Sequence, residues 1–154
     1  SNVLLDELVA DYRALLQEQK FSTAITPEFI SGLQHLLPEE RKMWILGARL
    51  GERKLGSMLI ACYGDTAEYL VGAVGLEGRT LNVGQYLLWH AMIEMRRAGM
   101  RRFDLGGAHP QKTSKGILHF KQGLGGVPYR LVGEFDAAKG LVARLVKLIV
   151  QYSS

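Results

Sequence analysis

Leu4, Leu5, Leu8, Tyr12, Leu15 and Leu16 recur at intervals of three and four, which predicts an amphipathic helix over residues 3–19. Thr26-Pro27-Glu28 opens a second helix. The threonine oxygen can accept from a first-turn amide, and proline at the first helical position gives up no hydrogen bond. That helix ends near Leu37-Pro38. The pattern then changes to apolar runs. Residues 43–50 and 55–63 read as two strands of a hairpin closed by a turn at 51–54. Gly64-Asp65 turns the chain into a third strand, 67–74. A loop over 75–82 leads to a long helix, 83–98, which Gly99 stops. Residues 102–105 read as a short buried strand and 115–122 as a short helix capped by Thr113 or Ser114. Residues 129–135 read as the last strand and 141–152 as a final docked helix. Strands and helices alternate without a repeat or a linker, so the fold class is α/β, one domain over 1–154.

Composition narrows this picture. The chain has 154 residues, 47% hydrophobic and 22% charged, which suits one folded domain with an adequate core. It begins Ser1-Asn2 without a methionine, and excision from a longer protein stays an open reading. The single cysteine, Cys62, excludes an intrachain disulfide framework. It lies in an apolar run and reads as a small buried hydrophobe, fitting a reducing, cytoplasmic setting. No apolar run approaches the length of a membrane span. No group of His, Cys and carboxylates has metal-ligand spacing, so no metal is expected.

The net charge of +4 is unevenly placed. Arg96, Arg97, Arg101, Arg102, Lys112, Lys115 and Lys121 fall in one stretch whose only acid is Asp104. That concentration points to an anionic partner such as a phosphorylated cofactor, a nucleotide or an RNA end. Arg96 and Arg97 fit the C-terminal dipole of the long helix instead. Lys112, Lys115 and Lys121 sit among glycines in a loop and a helix start. The stretch Arg102-Phe103-Asp104-Leu105-Gly106-Gly107 runs a strand into two glycines. Glycines there let backbone approach a ligand at the mouth of a sheet. Asp104, a carboxylate at a strand end, needs partners; it either bonds loop amides and fixes the glycines or contacts an acceptor. His109, beside the glycine pair, is the better candidate for a proton acceptor, ahead of His119. His35 and His90 read as packed or half-exposed helical residues.

These residues resemble the GNAT superfamily of acyltransferases and, more narrowly, the Fem family of peptidoglycan-bridge aminoacyltransferases. The resemblance is carried by Leu87-Leu88-Trp89, Ile93, Gly99, Phe103-Asp104-Leu105-Gly106-Gly107, Gly116-Ile117, Phe120-Lys121 and Gly123-Leu124-Gly125. Here the tryptophan stands one place early, and Leu124 replaces a phenylalanine. Fem enzymes resemble two such domains in tandem; this chain matches the second, which implies a second GNAT-like domain or a homodimer as partner.

The resemblance implies a mixed, mostly antiparallel sheet flanked by helices, with splayed central strands. It also implies transfer of an acyl group to a small-molecule or peptide amine. Two donors follow from it. Acyl-CoA is implied by the loop from Arg79 to Gly84, with the amides of Asn82, Val83, Gly84 and Gln85 facing a pyrophosphate at the helix start. Asn82 would stand where the family has glycine, and it is also a good N-cap. Aminoacyl-tRNA, modifying a peptidoglycan precursor, is implied by Phe120-Lys121 and the basic stretch. Lys121 would offset the charge of a tetrahedral oxyanion; otherwise it is a surface lysine whose stem covers Phe120. Asp104, Gly106, Gly107, Lys112 and Phe120 would line the substrate side. A catalytically degenerate domain that binds a partner without chemistry is the remaining alternative.

Overall fold

A computed structural model describes residues 2–20, 23–108, 113, 115–130 and 132. Helix α1 (Asn2–Gln19) and helix α2 (Pro27–Leu36) come first. Thr26 caps α2 through its hydroxyl, which accepts from the Phe29 amide at 3.1 Å, and Pro27 stands in the first turn. Strands β1 (Trp44–Leu50), β2 (Arg53–Tyr63) and β3 (Thr66–Val74) follow, then helices α3 (Leu76–Thr80) and α4 (Val83–Arg97). Strand β4 (Arg102–Asp104) and helix α5 (Lys115–Gln122) complete the described elements. The sheet runs β1-β2-β3-β4, antiparallel except for the parallel β3–β4 pair.

Strand β2 is the centre of the domain. It is buried without interruption from Leu55 to Ile60, as a strand covered on both faces must be. Met58 and Ile60 join Val83, Leu87, Leu88, Ala91 and Met95 in the core under α4. Leu59 joins Leu5, Leu8, Tyr12, Ile30, Val71 and Ala73 in the core under α1 and α2. Burying each large side chain contributes about 1.5–3 kcal/mol. The two cores therefore clamp the sheet from opposite sides. Charge ties α1 further to the hairpin: Lys54 Nζ lies 2.6 Å from Asp11, and Arg49 pairs with Glu7.

Several boundaries differ from the sequence reading. Arg53 and Lys54 belong to β2, so the hairpin turn is only Gly51-Glu52, with Gly51 at φ +58°. Residues 76–80 form helix α3 where a loop was expected. A helix of five residues is too short for periodicity to reveal it. Strand β4 is not buried: Arg102 is exposed, and Phe103 and Asp104 are half-buried. Most of the expected strand 129–135 and all of the expected helix 141–152 lie outside the described residues; Tyr129, Arg130 and Val132 are described without strand pairing. Ser114, one expected cap of α5, also lies outside them.

Candidate active site

Two irregularities of β3 shape the site. Its register with β2 shifts between Leu59 and Ile60, whose partners are Val71 and Tyr69, so Leu70 is an extra residue. Such a bulge bends its strand and increases local twist. On the other side, β4 pairs with β3 only at Thr66, Ala67 and Glu68. Beyond Glu68–Asp104, no described strand pairs with residues 69–74 of β3 on that side. The two strands part next to the bulge. Neither feature has a local sequence signal, because an apolar run reads the same with or without an inserted residue.

The loop leaving β4 borders the opening. Asp104 Oδ1 accepts the Gly106 amide at 2.7 Å, and Tyr129 donates its hydroxyl to Asp104 Oδ2. Gly106 has φ +73°, and a side chain there would lie 3.5 Å from the Tyr69 carbonyl oxygen and 3.7 Å from Lys121 Nζ. Both are ordinary contact distances, so it is the left-handed conformation that calls for glycine here. Lys121 Nζ donates to the Gly107 carbonyl at 2.6 Å. Burial pushes the Lys121 ammonium below its ordinary pKa, and the Asp104 charge draws it partly back up. A half-buried lysine held by one carbonyl is a cation of the kind that stabilises developing negative charge.

The far end of the opening is the start of α4. Asn82 precedes it with φ +55° and makes no side-chain cap, so the good N-cap of the sequence reading does not form. A left-handed N-cap turns its side chain away from the first-turn amides, which keep the positive end of the helix dipole. Gly84 sits there, with room for a side chain 3.9 Å from both Val74 and Phe120. Phe120 thus packs at the α4 start, while Lys121, the next residue of α5, reaches the β4 loop. Arg79 lies on α3, and its Nε donates to the Val74 carbonyl at 3.1 Å.

A family described as an acetyltransferase (GNAT) domain matches residues 2–122. The chain belongs to the GNAT family. No curated protein matches it. The match runs from α1 through α5, so it takes in the parted strands, the α4 start and Lys121. The GNAT domain is an acyltransferase fold, consistent with a four-stranded mixed sheet flanked by helices.

Asn82 and the first residues of α4, Val83, Gly84 and Gln85, lie near the end of β3, where Arg79 also bonds Val74, and Asp104, Gly106, Gly107 and Lys121 meet around the loop after β4. Phe120 lies between them. His109 and Lys112 lie outside the described residues. His119 is exposed on α5, and His90 lies exposed on α4 with its ring tilted 53° against that of Tyr86, centroids 4.4 Å apart. No helix among the described residues is long and apolar enough to cross a membrane. Tyr69, Leu70, Gly72 and Tyr129 escaped the sequence reading. Burial pushes the Tyr69 phenol up, and its hydroxyl folds across Gly72, where a side chain would collide with it. A glycine three residues after a tyrosine was the one available hint. A cavity of about 430 Å³ also opens between α1 and the end of β3, lined by Asp11, Leu15, Glu18, Lys54, Val74 and Arg79 among others.

Proposed function

We propose that this GNAT domain moves an acyl group from a CoA-type thioester to an amine. The carrying observation is the parting of β3 from β4 between an α4 start without a side-chain cap and the Lys121 ammonium. Arg79, Asn82, Val83, Gly84 and Gln85 would hold the donor's phosphates through charge and amides. The acyl carbonyl would lie in the gap with Gly106 and Gly107 against it. The amine attacks the carbonyl carbon, the N–C bond forms, and Lys121 stabilises the oxyanion. Collapse breaks the C–S bond, and the amine proton passes through water to the departing thiolate. His109 is the candidate for an assisting base; where it plays no part, positioning carries the rate. Phosphates and a small or peptide amine need no metal.

A Fem-like aminoacyl transfer from tRNA onto a peptidoglycan precursor is the second reading. The seating of Phe120 against the α4 start, directly beside the lysine of the shared motif, favours it. A partner domain or a second copy would then complete the acceptor site. Thermal shift with acetyl-CoA against an aminoacylated RNA minihelix separates the donors. A rise with acetyl-CoA alone, lost in Lys121→Ala, supports the first reading. A rise with the minihelix alone supports the second. No rise with either sinks both and leaves a binding domain without chemistry.

A further inference from the structure

Tyr129 is 68% exposed, yet its hydroxyl is committed to Asp104. Asp104 stands directly beside Glu68 in the parallel register of β3 and β4. Adjacent like charges on neighbouring strands repel. Each carboxylate carries a phenol: Tyr63 donates to Glu68 at 3.1 Å, and Tyr129 donates to Asp104. Asp104 has its other oxygen on the Gly106 amide. Lys121 makes no ion pair with Asp104; it donates to the Gly107 carbonyl, three residues further along the loop.

We infer that Tyr129 is a positioning residue: by occupying the second oxygen of Asp104, it keeps the Lys121 ammonium on the Gly107 carbonyl and turned towards the parted strands. The inference rests on the reading of Lys121 as the cation of the acyl-transfer site. Without the phenol, Asp104 Oδ2 loses a hydrogen-bond donor and draws more strongly on the ammonium, on which its charge already acts; a carboxylate is a stronger acceptor than a carbonyl. Lys121 would then swing from the gap to the strand end. The hydroxyl also closes a path from the segment after α5 back to β4, so one bond fixes both sides of the loop. The charged and titratable groups acting on this path are Asp104 and Arg102 on β4, Glu68 on β3 and Tyr63 on β2, with Tyr129 and Lys121 themselves.

The test uses the full chain with isotope-labelled lysine. The Lys121 side-chain resonance, assigned by its loss in Lys121→Met, is titrated in the wild type, Tyr129→Phe, Asp104→Asn and the double variant. Tyr129→Phe should raise the Lys121 titration midpoint as the ammonium gains a carboxylate partner. Asp104→Asn should lower it, and the double variant should follow Asp104→Asn, because the effect of the phenol passes through that carboxylate. Turnover with an acyl-CoA donor should fall about tenfold in kcat in Tyr129→Phe, with KM for the donor changing less than about twofold. An unchanged midpoint in Tyr129→Phe overturns the inference, even if kcat falls. So does a double variant that titrates like Tyr129→Phe. The underlying reading fails separately, if Lys121→Gln turns over the donor as fast as the wild type.

Discussion

Gly78 offers the sharpest test of how α3 is seated. It is a buried residue in the middle of a five-residue helix. A β-carbon there would lie 2.7 Å from Val74 Cγ1 and 3.1 Å from the Leu55 carbonyl carbon, with the Leu55 oxygen nearer still. Carbon contacts are comfortable near 3.5–4.0 Å, so α3 would have to move by about 1 Å. The Leu55 carbonyl belongs to the central strand and cannot yield; it also accepts the Gly75 amide at 3.2 Å. Moving α3 strains that bond, worth about 1 kcal/mol, on top of an overpacking cost of about 1–3 kcal/mol. Alanine's better helix propensity returns up to about 1 kcal/mol. Gly78→Ala should therefore destabilise by about 1–3 kcal/mol, roughly a 2–12 °C fall in Tm for a domain of this size. Gly32, inside α2, has nothing within 4 Å of the same position. Gly32→Ala should raise stability by about 0.5–1 kcal/mol. Urea denaturation of both variants reads the contrast. Equal or greater stability in Gly78→Ala would refute the close seating of α3 on β2.

Ser57 is 1% exposed, and its hydroxyl has no partner among the described residues, so Ser57→Ala should stabilise the domain by about 1 kcal/mol; a loss in urea denaturation would show that the hydroxyl is bonded. Burial pushes the Cys62 thiol up, with its sulfur 3.4 Å from Met95 Sδ, so a disulfide reagent at pH 8 should label it more slowly than free cysteine. Lys121 contributes a pH dependence of definite sign. Its folded pKa is lowered, so between that value and the usual 10.5 the unfolded chain binds more protons. The burial penalty is fully present below the folded value and relieved as pH rises towards 10.5. The stability of the wild type relative to Lys121→Met should therefore rise from pH 8 to 10.5 in urea titrations, and a flat difference would place the ammonium in water.

Local patterning made most elements legible. The three-and-four spacing of α1, Thr26-Pro27 before α2 and Gly99 after α4, with φ +88°, each act within a few residues. The Asp-Leu-Gly-Gly strand end was legible for the same reason, since Asp104 bonds an amide two residues on. The exposure of β4 was not, because burial depends on what covers a strand. Asn82 shows the limit within a single turn: asparagine suits a side-chain cap and a left-handed residue alike, and the sequence does not say which of the two it adopts; here it is left-handed and its side chain makes no cap.

The chain alone determined α1, α2, α4 and α5, the hairpin, the α/β class and the motif residues of an acyltransferase, because these follow from neighbours in sequence. Tertiary structure decided where β3 and β4 part, that Lys121 meets Gly107 and that Tyr129 reaches Asp104. Those contacts join residues 14 and 25 positions apart, or strands separated by two helices. No periodicity encodes them; they exist only once both cores have closed on β2 and fixed how the strand ends diverge.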